Sequence, residues 1–169
     1  MIRILVVEDD KELNATVCKY LCLNGYDAVG CLNAVDAYDE MYGASFDMII
    51  SDIMMPKIDG FEFAETVRGL NKNIPILFMT AKDDMRSMQR GYKLGIDDYL
   101  VKPVNLEELL LKIGAILRRA NISANKSLTV GRLTMNEDEQ SCIYDGEEIA
   151  LTVREVNLLF KLLSNPKKT

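Results

Sequence analysis

Five short apolar runs, each followed by a helical stripe and all but one stopped by a polar residue, constrain this chain more than any other feature. Ile2-Arg3-Ile4-Leu5-Val6-Val7 stops at Glu8-Asp9-Asp10. Residues 26–31 form a second run; residues 46–51 stop at Asp52, 76–79 at Thr80, and 98–101 at Lys102-Pro103. Near-continuous apolar strands of this length are those buried on both faces of a parallel sheet. Between them, helical spacing recurs in Leu13, Val17, Tyr20 and Leu21, in residues 34–43, in Phe63, Val67 and Leu70, and in Met85, Met88 and Tyr92. Asn24-Gly25, Gly43 and Gly95 supply the stops. A last stripe, Leu106, Leu109, Leu110, Ile113, Ile116 and Leu117, follows an Asn105…Glu108 capping-box pattern. Strand and helix in strict alternation predict an α/β fold, a doubly wound five-stranded parallel sheet with helices on both faces.

The pattern changes after residues 121–126, a small polar linker (Asn-Ile-Ser-Ala-Asn-Lys). Short strand-like pieces follow at 128–130, 133–135, 142–144 and 148–151, with Asp145-Gly146 as a two-residue hairpin signal. Thr152…Glu155 forms a capping box before a helical stripe of Val156, Leu159, Phe160 and Leu163, and Asn165-Pro166 stops it. The tail therefore reads as a small α+β unit.

Composition removes whole classes of chemistry. The chain of 169 residues has no histidine, which excludes Ser-His-Asp and Cys-His catalysis and His-based metal sites. Lys+Arg is 20 and Asp+Glu 26, a net charge of −6, so it is not a protein that coats nucleic acid by charge alone. Cys18, Cys22, Cys31 and Cys142 form no C-x-x-C pair and read as reduced, mostly buried thiols of a cytoplasmic protein. Met1 runs straight into a strand-like segment and no apolar run approaches 18 residues, so neither a signal peptide nor a membrane-spanning helix is expected.

In a doubly wound sheet the ligand site lies outside the carboxyl ends of the strands. Those ends carry Glu8, Asp9, Asp52, Thr80 and Lys102. Clustered carboxylates repel unless a cation intervenes, and an all-oxygen ligand set suits Mg2+. A carboxylate beside Mg2+ and a lysine is arranged to attack phosphorus, with the lysine and the Thr80 hydroxyl receiving the phosphoryl oxygens. No general base is needed, since a carboxylate is already ionised at neutral pH, which fits the absence of histidine. Asp10 reads differently, as the N-cap of the next helix.

These residues also carry a family resemblance. Val6-Val7-Glu8-Asp9-Asp10, Asp52-Ile53-Met54-Met55-Pro56-x-x-Asp59-Gly60, Met79-Thr80-Ala81-Lys82 and Gly95-x-Asp97-Asp98-Tyr99-x-x-Lys102-Pro103 closely resemble the receiver domain of bacterial two-component response regulators, over about residues 1–120. Leu151-Thr152-x-x-Glu155-x-x-Leu158-Leu159 resembles the start of the winged-helix domain of the OmpR/PhoB-like subfamily, over residues 127–169. The resemblance implies a flavodoxin-like receiver followed by an incomplete winged-helix fragment. It implies that Asp52 is the phosphoacceptor for a sensor histidine kinase. Asp9, Asp52 and the Met54 backbone carbonyl would bind Mg2+ directly, and Glu8 through water. Thr80 and Lys102 would contact the phosphoryl group, Tyr99 would be the switch that turns inward, and the Lys102-Pro103 bond would be cis. Asp97, Asp98, Lys112 and Arg119 would lie on the face of a phosphorylation-dependent homodimer.

Two departures bear on function. Val104 stands where the family has Phe, and roughly fifty further residues are expected of a whole winged-helix domain. Residues 121–169 hold six basic and seven acidic side chains, so they lack an electrostatic footprint as well as the reading helix. Promoter DNA is thus an expected partner of the full-length product only. Two other readings stay open: a phosphorylation-controlled regulator that binds protein rather than DNA, and an aspartyl-phosphate hydrolase, although the acid that such enzymes carry two residues after the nucleophile is Met54 here.

Overall fold

The computed structural model describes residues 1–81, 85–122, 127–137 and 139–164. The chain divides into two compact units, residues 2–123 and, with Met1, residues 124–169. In the larger unit β1 (Arg3–Val7), β2 (Asp27–Cys31), β3 (Met48–Asp52), β4 (Ile76–Thr80) and β5 (Asp98–Val101) alternate with α1 (Lys11–Leu23), α2 (Ala34–Gly43), α3 (Gly60–Leu70), α4 (Met85–Lys93) and α5 (Leu106–Arg119). The strands pair in parallel in the order β2-β1-β3-β4-β5, so the chain reverses its winding direction between β1 and β3. This is the flavodoxin-like order, and the reversal opens a crevice at the carboxyl edge.

The apolar runs behave as strands because both faces of the sheet are covered. Ile4 and Val6 face a core with Val17 and Leu21 of α1 and Leu109, Ile113 and Ile116 of α5. Leu5, Val7, Ile49 and Phe78 face the opposite core with Ala37 of α2, Phe63 and Val67 of α3, and Met88 at its margin. Alternation within each strand assigns one residue to each side. Asp10 is the N-cap of α1, accepting from the N–H groups of Glu12 and Leu13. Asn105 caps α5 by accepting from Glu108 N–H. The helix expected over 83–94 is described from Met85; residues 83 and 84, like Lys82, lie outside the described residues.

The smaller unit is a four-stranded antiparallel sheet and one helix. Its strands β6 (Ser127–Val130), β7 (Leu133–Asn136), β8 (Ser141–Tyr144) and β9 (Glu147–Glu148) pair in sequence order, and α6 spans Val153–Ser164. Asp145 and Gly146 have φ of 51° and 86°, the two left-handed positions of a type I′ hairpin turn. The Thr152 capping box is reciprocal: Thr152 N–H donates to Glu155 Oε2 at 2.7 Å and Glu155 N–H to Thr152 Oγ1 at 3.3 Å. The strand expected over 148–151 is instead the short β9, because pairing ends at Ile143↔Glu148. Met135, Cys142 and Val156 form the buried centre of this unit. Most of the expected linker and the Asn165-Pro166 stop lie outside the described residues. No helix among the described residues is long and apolar enough to cross a membrane.

The thiols are less uniform than the sequence suggests. Cys31 and Cys142 are buried, Cys18 is half-buried and Cys22 is exposed; all four are free. Cys22 follows Leu21, and on a helix the next residue turns away from the core face.

Candidate functional site

The carboxyl ends of β1 and β3 bring Glu8, Asp9 and Asp52 together, with one ligand oxygen from each within 4.8 Å of the others. Glu8 and Asp52 are buried, at 0% and 3% exposure, and Asp9 is exposed. Lys102, at the end of β5, reaches across the crevice: Nζ lies 2.8 Å from Glu8 Oε2 and 3.1 Å from Asp52 Oδ2. The other carboxylate oxygens are held by the main chain. Glu8 Oε1 accepts from Asp10 N–H at 3.0 Å, and Asp52 Oδ1 from Met54 N–H at 3.2 Å.

Burial pushes the Glu8 carboxyl above its usual range, aided by the Asp52 charge and opposed by Lys102 and the Asp10 N–H. Burial alone would lower Lys102, but its hydrogen bonds to Glu8 and Asp52 outweigh that and hold the ammonium above its usual value. One cation against three carboxylates leaves the cluster short of positive charge. Hard oxygen donors around a site short of two charges fit a divalent cation of the Mg2+ kind.

Thr80 is buried at the end of β4, in register with Val101, and its carbonyl accepts Lys102 N–H at 2.7 Å. The Lys102-Pro103 peptide is cis. The loop from 53 to 60 is pulled back over β3 by Gly60 N–H donating to Ile53 O at 2.8 Å. A Cβ on Gly60 would stand 2.4 Å from Asp52 O, so only glycine permits this close approach.

Tyr99 does not touch the acidic cluster. It is 5% exposed, with its hydroxyl 2.8 Å from Met88 O and 3.2 Å from Ser87 O, both on α4. Its ring is therefore already turned inward. Asp97, Asp98, Lys112 and Arg119 lie away from the cluster, around β5 and α5. Lys112 Nζ pairs with Asp98 Oδ2 at 2.9 Å, and Asp97 Oδ2 accepts Ile76 N–H at 2.8 Å, so both aspartates have partners in their own chain. Arg119 is exposed.

Sequence reasoning missed Asn14, which is buried at 6% exposure behind Glu8. The signal was present: Asn14 stands three and seven residues before Val17 and Leu21, on the face that packs into the core.

A flavodoxin-like sheet with carboxylates on β1 and β3, and a lysine reaching them from β5, defines a receiver domain. Residues 4–114 match the response regulator receiver domain family. The chain is 37% identical to the transcriptional regulatory protein RprY of Bacteroides fragilis (strain YCH46), over 94% of this chain and 68% of that protein. The chemotaxis protein CheY4 of Vibrio cholerae superposes with a TM-score of 0.67 at 34% identity, covering 69% of this chain and 99% of CheY4. The response regulator DrrB of Thermotoga maritima, an OmpR/PhoB homologue, superposes with a TM-score of 0.65 at 26% identity, covering 99% of this chain and 75% of DrrB. The chain belongs to the response regulator family, and its relatives are of the OmpR/PhoB type.

Proposed function

We propose that this protein is a phosphorylation-switched transcriptional regulator of the cytoplasm whose receiver, about residues 1–120, accepts a phosphoryl group on Asp52 from a sensor histidine kinase. The observation that carries the reading is the pairing of the buried Asp52, through Oδ2, with Lys102 at 3.1 Å, in a cluster that also holds the buried Glu8 and the exposed Asp9. A carboxylate so placed attacks phosphorus directly: the O–P bond to Asp52 forms as the P–N bond to the kinase histidine breaks, the P–N electron pair goes to the departing imidazole, and the proton already on that ring's other nitrogen lets it leave neutral. Bound Mg2+ would supply charge neutralisation at the phosphoryl oxygens. Asp9, Asp52 and the Met54 carbonyl would hold the ion, and Glu8 would act through water. Lys102 would exchange Asp52 Oδ2 for a phosphoryl oxygen while keeping Glu8. Thr80 would bind a second oxygen and draw β4 towards the site, and Tyr99, anchored on α4, would carry that movement outward. Water attacking the aspartyl phosphate would return the protein slowly to its resting state.

Downstream, phosphorylation would favour a homodimer through α4, β5 and α5, with Asp97, Asp98, Lys112 and Arg119 among the charges that set its register. Val101 on β5, Leu111 on α5 and Tyr92 on α4 are exposed apolar side chains of these three elements and support that choice. Residues 127–169 would be the first part of a winged-helix domain after a linker at 121–126, and promoter DNA a partner of the full-length product.

The test is to incubate the chain with a small phosphodonor and Mg2+ and to map the modified peptide. Label is expected on Asp52 and lost in Asp52→Asn. Label on another carboxylate, or undiminished label in the variant, overturns the assignment.

A further inference from the structure

The ladder between β1 and β2 ends at the pair Val7↔Cys31, one residue short of Glu8. Glu8 N–H still donates to Cys31 O at 3.0 Å. Beyond Cys31 the chain turns away to Asn33, which caps α2, so the strand stops offering donors just where the site begins. The missing donor comes from α1. Asn14 Nδ2 gives one hydrogen to Glu8 O at 3.0 Å and the other to Cys31 O at 2.9 Å. One buried side-chain amide thus ties the ends of both strands at the residue whose carboxylate lines the acidic cluster.

Gly30 makes room for it. A Cβ there would stand 2.1 Å from Asn14 Oδ1 and 3.0 Å from Cys18 Sγ. Asn14 cannot retreat without giving up two hydrogen bonds to buried carbonyls, so side chain and glycine form a matched pair.

We propose that Asn14 is a positioning residue of the acidic site, which fixes the Glu8 main chain and through it the Glu8 and Asp9 carboxylates for a divalent cation, and that Gly30 is the complement it requires. The proposal rests on the reading of the cluster as a Mg2+ site. Groups that orient a metal's ligands without touching the metal typically change affinity by about 10- to 100-fold when removed. Asn14 departs from a simple polar core residue in that both its donors end on the strand termini feeding the site.

The experiment titrates the full chain with MgCl2 by calorimetry and records the melting temperature of each variant alongside. Asn14→Leu keeps the branched four-atom shape but has no donor, and is expected to weaken Mg2+ binding about tenfold or more. Gly30→Ala is expected to weaken it in the same direction by displacing Asn14, and to add little in an Asn14→Ala background, where only the Cys18 thiol, 3.0 Å from the new methyl group, has to give way. Val17→Ala lies on the same helix, wholly in the core, and is expected to lower the melting temperature without moving Mg2+ affinity. Wild-type affinity in Asn14→Leu, or an equal loss in Val17→Ala, overturns the proposal. Should Asn14→Leu not fold, Gly30→Ala carries the same test alone. A wild-type chain that takes up no Mg2+ overturns the metal reading itself, and this proposal with it.

Discussion

A β-carbon on Gly91 would stand 1.6 Å from the Tyr99 hydroxyl oxygen and 2.8 Å from its Cζ. The inward Tyr99 ring therefore occupies space that only a glycine on α4 leaves open. Around it the helix is held at two points: Tyr92 packs edge-on against Tyr99 with ring centroids 5.3 Å apart, and the Arg90 guanidinium lies 4.4 Å over the Phe61 ring. Gly91→Ala is expected to expel the ring or push α4 outward. Tyrosine nitration mapped by mass spectrometry would then show Tyr99 modified in the variant and protected in the wild type. Equal protection in both would show that α4 shifts to absorb the methyl group.

Asp9 and Asp10 are neighbours with opposite expected behaviour. Asp10 accepts two N–H groups at the start of α1, and removing such a cap costs about 0.5–2 kcal/mol. Asp10→Ala should lower the urea midpoint and leave Mg2+ affinity near that of the wild type. Asp9→Ala removes a charge and a ligand from the cluster and should weaken Mg2+ binding with little loss of stability. A calorimetric titration and a urea melt on each variant separate the two roles.

The buried thiols and Tyr99 give the receiver an alkaline limit. Burial, with Cys22 nearby, pushes Cys18 from 9.0 up to about 11. Burial, with Glu40 and Asp36 nearby, does the same for Cys31. Tyr99 is pushed to about 12, first by burial and then by Tyr92. Each folded value exceeds its unfolded one, so the folded state binds the extra protons. Stability is then whole below pH 9 and falls as pH rises to about 11 through the thiols, and on towards 12 through Tyr99. Melting temperatures between pH 8 and 11 should fall, and fall less in Cys31→Ala, measured relative to its own value at pH 8.

Dimer formation should depend on phosphorylation and respond to salt. Rim charges set register and encounter more than affinity, and salt screens them. Sedimentation of the chain with Mg2+ and beryllofluoride should show more dimer than the untreated chain. Leu111→Glu, on an exposed position of α5, should reduce it. An unchanged monomer at every concentration would remove α4, β5 and α5 from the mechanism.

The sheet and the polar residues at its carboxyl edge were legible because four of the five apolar runs are bounded by a residue that cannot be buried without a partner. Val7 to Glu8 and Ser51 to Asp52 are such boundaries, and the fold makes them meet. What the sequence concealed has a physical reason in each case. Asn14 interrupts an apolar face, and its role depends on β2 ending at Cys31, 17 residues further along the chain. The demands on Gly60 and Gly91 arise from contacts across the fold, with Asp52 O and with Tyr99, which periodicity along one helix cannot express. In the tail, the apolar Ile149 and Leu151 extend the strand pattern to residue 151, although the β8–β9 ladder has its last pair at Ile143↔Glu148.

Each helix of the receiver runs back against the strand before it, so α1 begins beside the acidic site and ends at the opposite rim of the sheet. Cys22, in the last turn of α1, is its exposed thiol, while burial holds Cys18 and Cys31 mostly protonated at neutral pH. The chain thus carries a native handle for oriented attachment: a maleimide-coated surface would grip the far rim and leave the carboxyl edge open to solution. An immobilised sensor for phosphoryl donors or Mg2+ could be made from it without adding a cysteine.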